Sequence, residues 1–376
     1  MPDPHSLTPT EARRLWLAAQ RLDRETPFGA GPEAVQLAVE HLGYVQIDTI
    51  NVIERCHHHI LFNRVPDYRR ADLVAAQSRE KTVFEYWTHA LSFLPARDFP
   101  FYVATMKANR REAAFFASDV PRQEVLRVLK RVREEGALTI SDIKDDDLVD
   151  KHHPWASRKP SKRALQRGFY NGELVIAARA GMLKTYELTE RHFGWERLPP
   201  AASAARYLDY VLDRALRSQA VVSVDSVCYG RVAPKKAIAE LIEKRVKKKA
   251  LVPARIAGAE KIAHWAEPAA LEALPEPGLV HILSPFDPLV IQRARTQMIF
   301  GYEHVFEAYI RPDKRRYGYF TLPVLAGEEI VAMLDLKTDR AARKVLIQSW
   351  HWTGKARRKK EIEAALEHFE RFQLAN

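Results

Sequence analysis

Between Gln123 and Tyr186 the apolar residues change their spacing in a set order, and that order limits the folds open to the chain. Val125, Leu126, Leu129 and Val132 recur at helical spacing from Gln123 to Arg133, and Gly136 closes the segment. Leu138-Thr139-Ile140 is a brief extended piece, and Ser141 or Asp142 can cap a further element behind it. Ser161 to Tyr170 reads as a basic helix ending at Asn171-Gly172. Leu174-Val175-Ile176 and Leu183-Lys184-Thr185-Tyr186 then read as two strands joined through Arg179-Ala180-Gly181. Helices followed by a hairpin are the order of a winged helix, whose last helix enters a DNA groove while the hairpin touches the backbone.

The rest of the chain extends this pattern. At about 150 residues per domain, 376 residues predict two to three modules. Thr8-Pro9-Thr10-Glu11 starts a helix with a capping hydroxyl and Pro at its first position, and Leu15, Trp16 and Ala19 give it an apolar face. A second helix is expected from Pro32 to His41, stopping at Gly43. Tyr44 to Asp48 alternates like a short strand, and Asp48 or Thr49 can cap a helix from Ile50 to about Leu61. Further helices are expected across 70–80 and 97–112. After Pro199-Pro200-Ala201-Ala202, a linker, helical Ala205–Leu216, extended Val221–Asp225, helical Pro234–Lys249 and a strand at Leu251–Ile256 partly repeat the earlier order. Pro275 and Pro277 mark another boundary. Beyond 278, Val305–Ile310, Tyr317–Leu325, Ile330–Leu336 and Val345–Trp352 read as strands, and Glu361–Phe372 as a closing helix. The expected fold class is mainly α with β wings: tandem winged-helix modules, then a C-terminal α+β region with an antiparallel sheet. The expected modules are 1–115, 116–198, 199–275 and 276–376.

Charge points to a polyanionic partner. Lys and Arg number 59 against 48 Asp and Glu, a formal charge of +11. Basic residues cluster at Arg158-Lys159, Lys162-Arg163 and Arg167, at Lys244-Arg245 with Lys247-Lys248-Lys249, at Lys314-Arg315-Arg316, and at Lys355, Arg357-Arg358 and Lys359-Lys360. Each cluster lies beside an apolar-periodic segment, as faces of folded modules do, and such a surplus concentrates nucleic acid. No apolar run approaches the ~18 residues of a membrane helix, and the start lacks a signal-peptide pattern, so a soluble intracellular chain is expected. Two cysteines, Cys56 and Cys228, exclude a disulfide framework or a four-thiolate zinc site. GxxxxGK[ST], GxGxxG after a strand, HExxH, paired CxxC and GxSxG are all missing, which makes nucleotide hydrolases, Rossmann enzymes, zincins and α/β-hydrolases poor fits.

Two constellations remain. Cys56-His57-His58-His59 invites a metal, but successive helical residues point roughly 100° apart, so three adjacent imidazoles cannot converge on one ion. Only Cys56 and His59 share a face; no metal and no cofactor is expected, and His57 or His58 can instead face a phosphate. In Gln46-Ile47-Asp48, residues two apart on a strand project to the same side with Ile47 turned into the core. That pair can hold a water molecule, with Asp48 accepting its proton and Gln46 orienting it. Alternatively, Asp48 caps the next helix and Gln46 is an exposed strand residue, the commoner role for Asp before a helix.

The longer string Val45-Gln46-Ile47-Asp48-Thr49-Ile50-Asn51-Val52-Ile53-Glu54-Arg55-Cys56-His57-His58 strongly resembles the winged-helix DNA glycosylases of the YcaQ/AlkZ type. Gln-apolar-Asp matches the YcaQ-like (AlkX) form of that family's motif. Glu85-Tyr86-Trp87-Thr88-His89-Ala90, Leu283-Ser284-Pro285-Phe286-Asp287-Pro288 and Glu307-Ala308-Tyr309-Ile310 extend the likeness over most of the chain. The resemblance implies three tandem winged helices, removal of N7-alkylated purines and unhooking of DNA interstrand crosslinks. It implies a monomeric enzyme working on double-stranded DNA in the bacterial cytoplasm, at the nucleoid and away from any membrane. Gln46 and Asp48 are then the expected catalytic residues; with no nucleophilic Lys beside them, hydrolysis without strand cleavage is expected. Asn51, Arg55, His57, His58, Arg64, Lys162, Arg163 and Arg167 are expected at DNA, whereas Trp87 is expected in the core. The rival expectation is a winged-helix transcription regulator without catalysis.

Overall fold

A computed structural model describes residues 3–112, 120–144, 148, 150–151, 157–272, 274–354 and 358–375. The expected 115/116 boundary and the basic residues Lys355 and Arg357 lie outside the described residues. The chain builds two compact units, each from separate stretches: Met1–Arg69, Thr88–Ala90 and Leu208–Asn376 form one, and Arg70–Trp87 with Leu91–Tyr207 form the other.

In the first unit the opening helix, Pro9–Ala19, starts where its residues demand. The Thr8 hydroxyl accepts from the Glu11 amide (3.2 Å), and the Glu11 carboxylate accepts from the Thr8 amide (2.7 Å). The next helix, Gly31–Leu42, ends on Gly43 at φ 78°, where a Cβ would overlap the Arg214 side chain. A four-stranded sheet places Val252–Ile256 between parallel His5–Leu7 and antiparallel His264–Ala266, which in turn pairs with Val221–Val222. A second sheet runs Val280–Ile282, Thr321–Ala326, Glu329–Asp339, Lys344–Trp352, all antiparallel. The last helix, Lys359–Leu374, buries Ile362, Leu366, Phe369 and Phe372.

The second unit carries the hairpin Val83–Trp87 with Leu91–Pro95, and the segment whose periodicity changes. Helix Arg122–Glu135 buries Val125, Val128, Leu129 and Val132 but leaves Leu126 exposed. Strand Leu138–Thr139, helix Pro160–Tyr170 and the hairpin Leu174–Ala180/Leu183–Leu188 come next, the short strand pairing with the hairpin's second strand. The first unit repeats both order and pairing: helix Ala204–Gln219 leads to Val221–Val222, helices Val224–Val227 and Lys235–Lys247, and a hairpin whose second strand, His264–Ala266, takes Val221–Val222. Within the second unit Glu85 is fully buried, held by both ends of the Arg179 guanidinium (2.5 and 2.6 Å) and by Gln77 (3.0 Å).

The fold is mixed α/β with largely antiparallel sheets, which agrees in part with the expected class. Several expectations are corrected. Val305–Ile310 is not a strand; the Glu307 carboxylate accepts from the amides of Arg316, Tyr317 and Gly318 (2.6, 2.7 and 3.2 Å) and holds the segment as a loop. The helix expected from Ile50 begins only at Cys56 and runs to Phe62. Trp87 is 39% exposed instead of lying in the core.

A fully buried ion pair joins Arg64, just beyond the Cys56–Phe62 helix, to Asp287, which is 223 residues away. Nη1 and Nη2 of Arg64 donate to Asp287 (2.8 and 3.0 Å). Nη1 also reaches Ile60 O, Nη2 reaches Gln20 Oε1, and Nε reaches Gln20 O. All five guanidinium N–H groups are therefore satisfied. Replacing Asp287 by Ala strands a buried cation and is expected to lower stability by about 3–5 kcal/mol, whereas replacing both partners by apolar residues costs less than the two single losses combined. Denaturant titration of the three variants measures both quantities.

Candidate active site in the first unit

The Gln-apolar-Asp triplet sits where a strand of only two residues, Val45–Gln46, runs into an irregular loop. The strand stops because the next backbone groups are used elsewhere. Asp48 Oδ1 accepts from the Ile50 amide (2.7 Å), a side-chain turn rather than a helix cap. Farther along, the Thr338 amide donates to Val52 O (3.0 Å) and the Thr338 hydroxyl to Ile53 O (3.1 Å). These contacts deny residues 50–53 to a helix and anchor the loop to the second sheet's Glu329–Asp339 strand. Ile47 is buried as expected. Gln46 is buried too, whereas Asp48 is half-buried in the loop, so strand alternation does not set the two side chains in register.

Each member of the pair has one end held. Gln46 Oε1 accepts from His89 Nε2 (3.1 Å), and its backbone oxygen accepts from the Cys56 thiol (3.0 Å). Burial and the neighbouring Asp48 charge push that thiol well above its ordinary range, so it stays protonated and donating. Asp48 Oδ2 and Gln46 Nε2 make no hydrogen bond with the described residues, so a carboxylate acceptor and an amide donor remain available two positions apart.

The residues expected at DNA divide by burial. Arg64 is consumed by Asp287 and Gln20 and does not reach a phosphate. His57 and His58 are buried, with His58 Nδ1 on the Tyr68 hydroxyl (2.6 Å) and the two imidazoles 4.3 Å apart. His59 Nε2 donates to Ile282 O (2.7 Å), which removes it from any site shared with Cys56. Arg55 is half-buried. Asn51 is exposed, its Oδ1 accepting from Arg340 Nη2 (3.0 Å). On the second unit's basic helix Lys162 is exposed, but Arg163 turns inward and Arg167 is tied to Val120 O. Adjacent helical residues point roughly 100° apart, so a run of basic residues cannot all face outward.

The structure adds residues that sequence reasoning had not assigned to the site. Arg340, Arg343 and Lys344 are exposed on the turn between the last two strands, and Arg340 brings positive charge onto the motif loop through Asn51 and Ile53 O (3.3 Å). Tyr309 is 80% exposed on the loop that Glu307 organises, next to Arg311, Lys314 and Arg316. His89 lies in the Glu85–Ala90 string that extends the likeness, with nothing local to link it to Gln46.

An acid and an amide held in a rigid loop under a cationic rim suit hydrolysis on a polyanionic substrate. Residues 39–372 match the family described as DNA glycosylase AlkZ-like, a span that includes the whole motif loop. The chain belongs to this family and is a DNA glycosylase, which sets aside a regulator without catalysis. Its fold is similar to that of Streptomyces sahachiroi DNA glycosylase AlkZ, with a TM-score of 0.63 at 14% identity over 98% of this chain and 97% of that one. Among the described residues no helix is long and apolar enough to cross a membrane.

The first unit holds many histidines in neutral form. Burial lowers His41, His59, His89, His264 and His281 to about 4, and His304 to about 3. In the unfolded chain each binds its proton near pH 6.5. Between these values the unfolded state carries more protons, so stability is full at pH 7 and falls as the pH drops towards 4. Urea midpoints measured from pH 7.5 to 5 are expected to fall continuously, well before carboxylates titrate.

Proposed function

We propose that this glycosylase hydrolyses the N-glycosidic bond of N7-alkylated purines in double-stranded DNA, including purines joined in interstrand crosslinks, and does not cleave the strand. An N7-alkylpurine is cationic and leaves without being protonated. What remains is to stabilise an oxocarbenium-like sugar and to deliver water to C1′, work that sugar hydrolases divide between two carboxylates. Asp48 stabilises the developing positive charge and takes the proton of the attacking water; Gln46 positions that water. The observation that carries this reading is a pair of groups without hydrogen-bond partners among the described residues, Asp48 Oδ2 and Gln46 Nε2, on a loop immobilised from both sides. No lysine forms part of the motif loop, which supports release of the base without a covalent intermediate.

DNA is gripped mainly through phosphate. The recurring order of helix, short strand, helix and hairpin, with the short strand added to the hairpin's second strand, supports winged-helix modules at 116–198 and 199–275. Exposed Arg158, Lys159 and Lys162 flank the start of the second unit's basic helix, and Arg340 bonds the motif loop from a turn that also exposes Arg343 and Lys344. Contacts of this kind suit an enzyme that seeks damage rather than sequence.

Replacing Asp48 by Asn is expected to slow release of N7-methylguanine from duplex DNA by about 10²–10⁴-fold while leaving affinity nearly intact; a variant turning over at the normal rate eliminates the mechanism. The same variant should fail to unhook a mustard-type crosslink. Replacing Arg340 by Ala is expected to weaken binding equally across sequences and to reduce the slope of log affinity against log salt by about one, as anisotropy titrations at several salt concentrations would show.

A further inference from the structure

We propose that His89 is a positioning residue for this pair: it fixes the Gln46 carboxamide so that its NH2 group, and not its oxygen, is offered at the site, a role that rests on the hydrolytic reading of Gln46 and Asp48.

Hydrogen-bond chemistry sets the orientation. A carboxamide oxygen only accepts, so the 3.1 Å contact to Gln46 Oε1 requires a proton on His89 Nε2. Burial, and then the charge of Arg214, hold His89 at about 4, so the ring is neutral under working conditions and Nδ1 keeps its lone pair. The Thr88 hydroxyl lies 3.1 Å from Nδ1 and 3.3 Å from Ala90 O, so its single proton is shared between these two acceptors and does not by itself fix the tautomer. The tautomer is set at the Gln46 end, where the acceptor oxygen places the proton of the neutral ring on Nε2.

The ring itself cannot swing. Tyr44 meets it edge-on at 4.9 Å between centroids, and Tyr229 at 5.3 Å. Gly230, at φ 69°, comes so close that a side chain there would overlap His89 Cβ. Gln46 is pinned in addition through its backbone oxygen by Cys56. An imidazole clamped by two phenols and a glycine thus orients an amide that has no other side-chain partner among the described residues.

The consequence is one of polarity. Asp48 can only accept, and the Gln46 amide, held this way, can only donate. One water molecule satisfies both by giving a proton to Asp48 Oδ2 and accepting from Gln46 Nε2, which leaves a lone pair for C1′. A flipped carboxamide sets a second partial negative charge beside the carboxylate and removes the donor that aligns the water. His89 moves no proton in this scheme; it acts through Gln46 alone.

The test is single-turnover release of N7-methylguanine, with DNA affinity and melting temperature measured on each variant. H89L is expected to slow release on the order of tenfold to a hundredfold while affinity stays within about twofold. H89Q, whose side-chain amide places an N–H near the Nε2 position, is expected to recover most of the rate. In a Q46A background, H89L should change the rate by less than about twofold, because the group it orients is gone. A wild-type rate in H89L, or an equal fractional loss in the Q46A background, overturns the proposal. Should H89L fail to fold, H89F keeps a ring between Tyr44 and Tyr229 but offers no N–H to Gln46: a loss of about tenfold at unchanged melting temperature supports the proposal and an unchanged rate overturns it. Full activity in Q46A and D48N instead defeats the hydrolytic pair itself, whatever His89 does.

Discussion

The Arg64–Asp287 pair ties together the parts of the first unit that support the motif loop. Arg64 lies just past the Cys56–Phe62 helix, Asp287 starts the Pro288–Ile291 turn of helix, and Gln20 closes the opening helix. One guanidinium bonds all three, and Asp287 also accepts from the Leu289 amide (3.0 Å). A buried ion pair is not intrinsically stabilising, because desolvation opposes its attraction. Its consequence here is geometric: five directed bonds leave the end of the helix a single position, and the loop carrying Asp48 leads directly into that helix.

The same economy of buried polar groups recurs around the site. Thr338 takes two carbonyls of the loop, Cys56 takes one of the strand, and His89 takes the Gln46 side-chain oxygen. Each bond satisfies a backbone or side-chain polar group drawn out of water, and each fixes a torsion beside Gln46 or Asp48. Neutral histidines suit this role, since an imidazole kept from protonation retains one donor and one acceptor with fixed direction. The acid sensitivity of the fold and the rigidity of the site therefore share one origin.

Much of the local structure was legible in the residues. The capping box at Thr8 and Glu11, the left-handed stop at Gly43 and the short-strand, helix, hairpin order between 138 and 188 all form, because each depends on neighbours in the chain. Expectations failed where distant groups competed. Asp48 looked able to start a helix, but its carboxylate serves Ile50 while Thr338 takes the carbonyls of Val52 and Ile53. Val305–Ile310 has the composition of a strand, yet Glu307 organises it by reaching amides nine to eleven residues ahead.

The amino-acid sequence by itself determined most element types, the cationic character and the Gln46–Asp48 motif on which the resemblance was read, since these reside in local pattern and composition. Only the tertiary structure decided which charges face outward and which group orients Gln46. Arg64 and Arg340 are the same residue type, and nothing beside either distinguishes a buried anchor from a solvent-facing cation. That distinction arises when the chain brings Asp287 to one and Asn51 to the other, across 223 and 289 residues. Burial and hydrogen-bond partnership belong to the packed molecule, and so does the clamp of Tyr44, Tyr229 and Gly230 that turns His89 towards the amide.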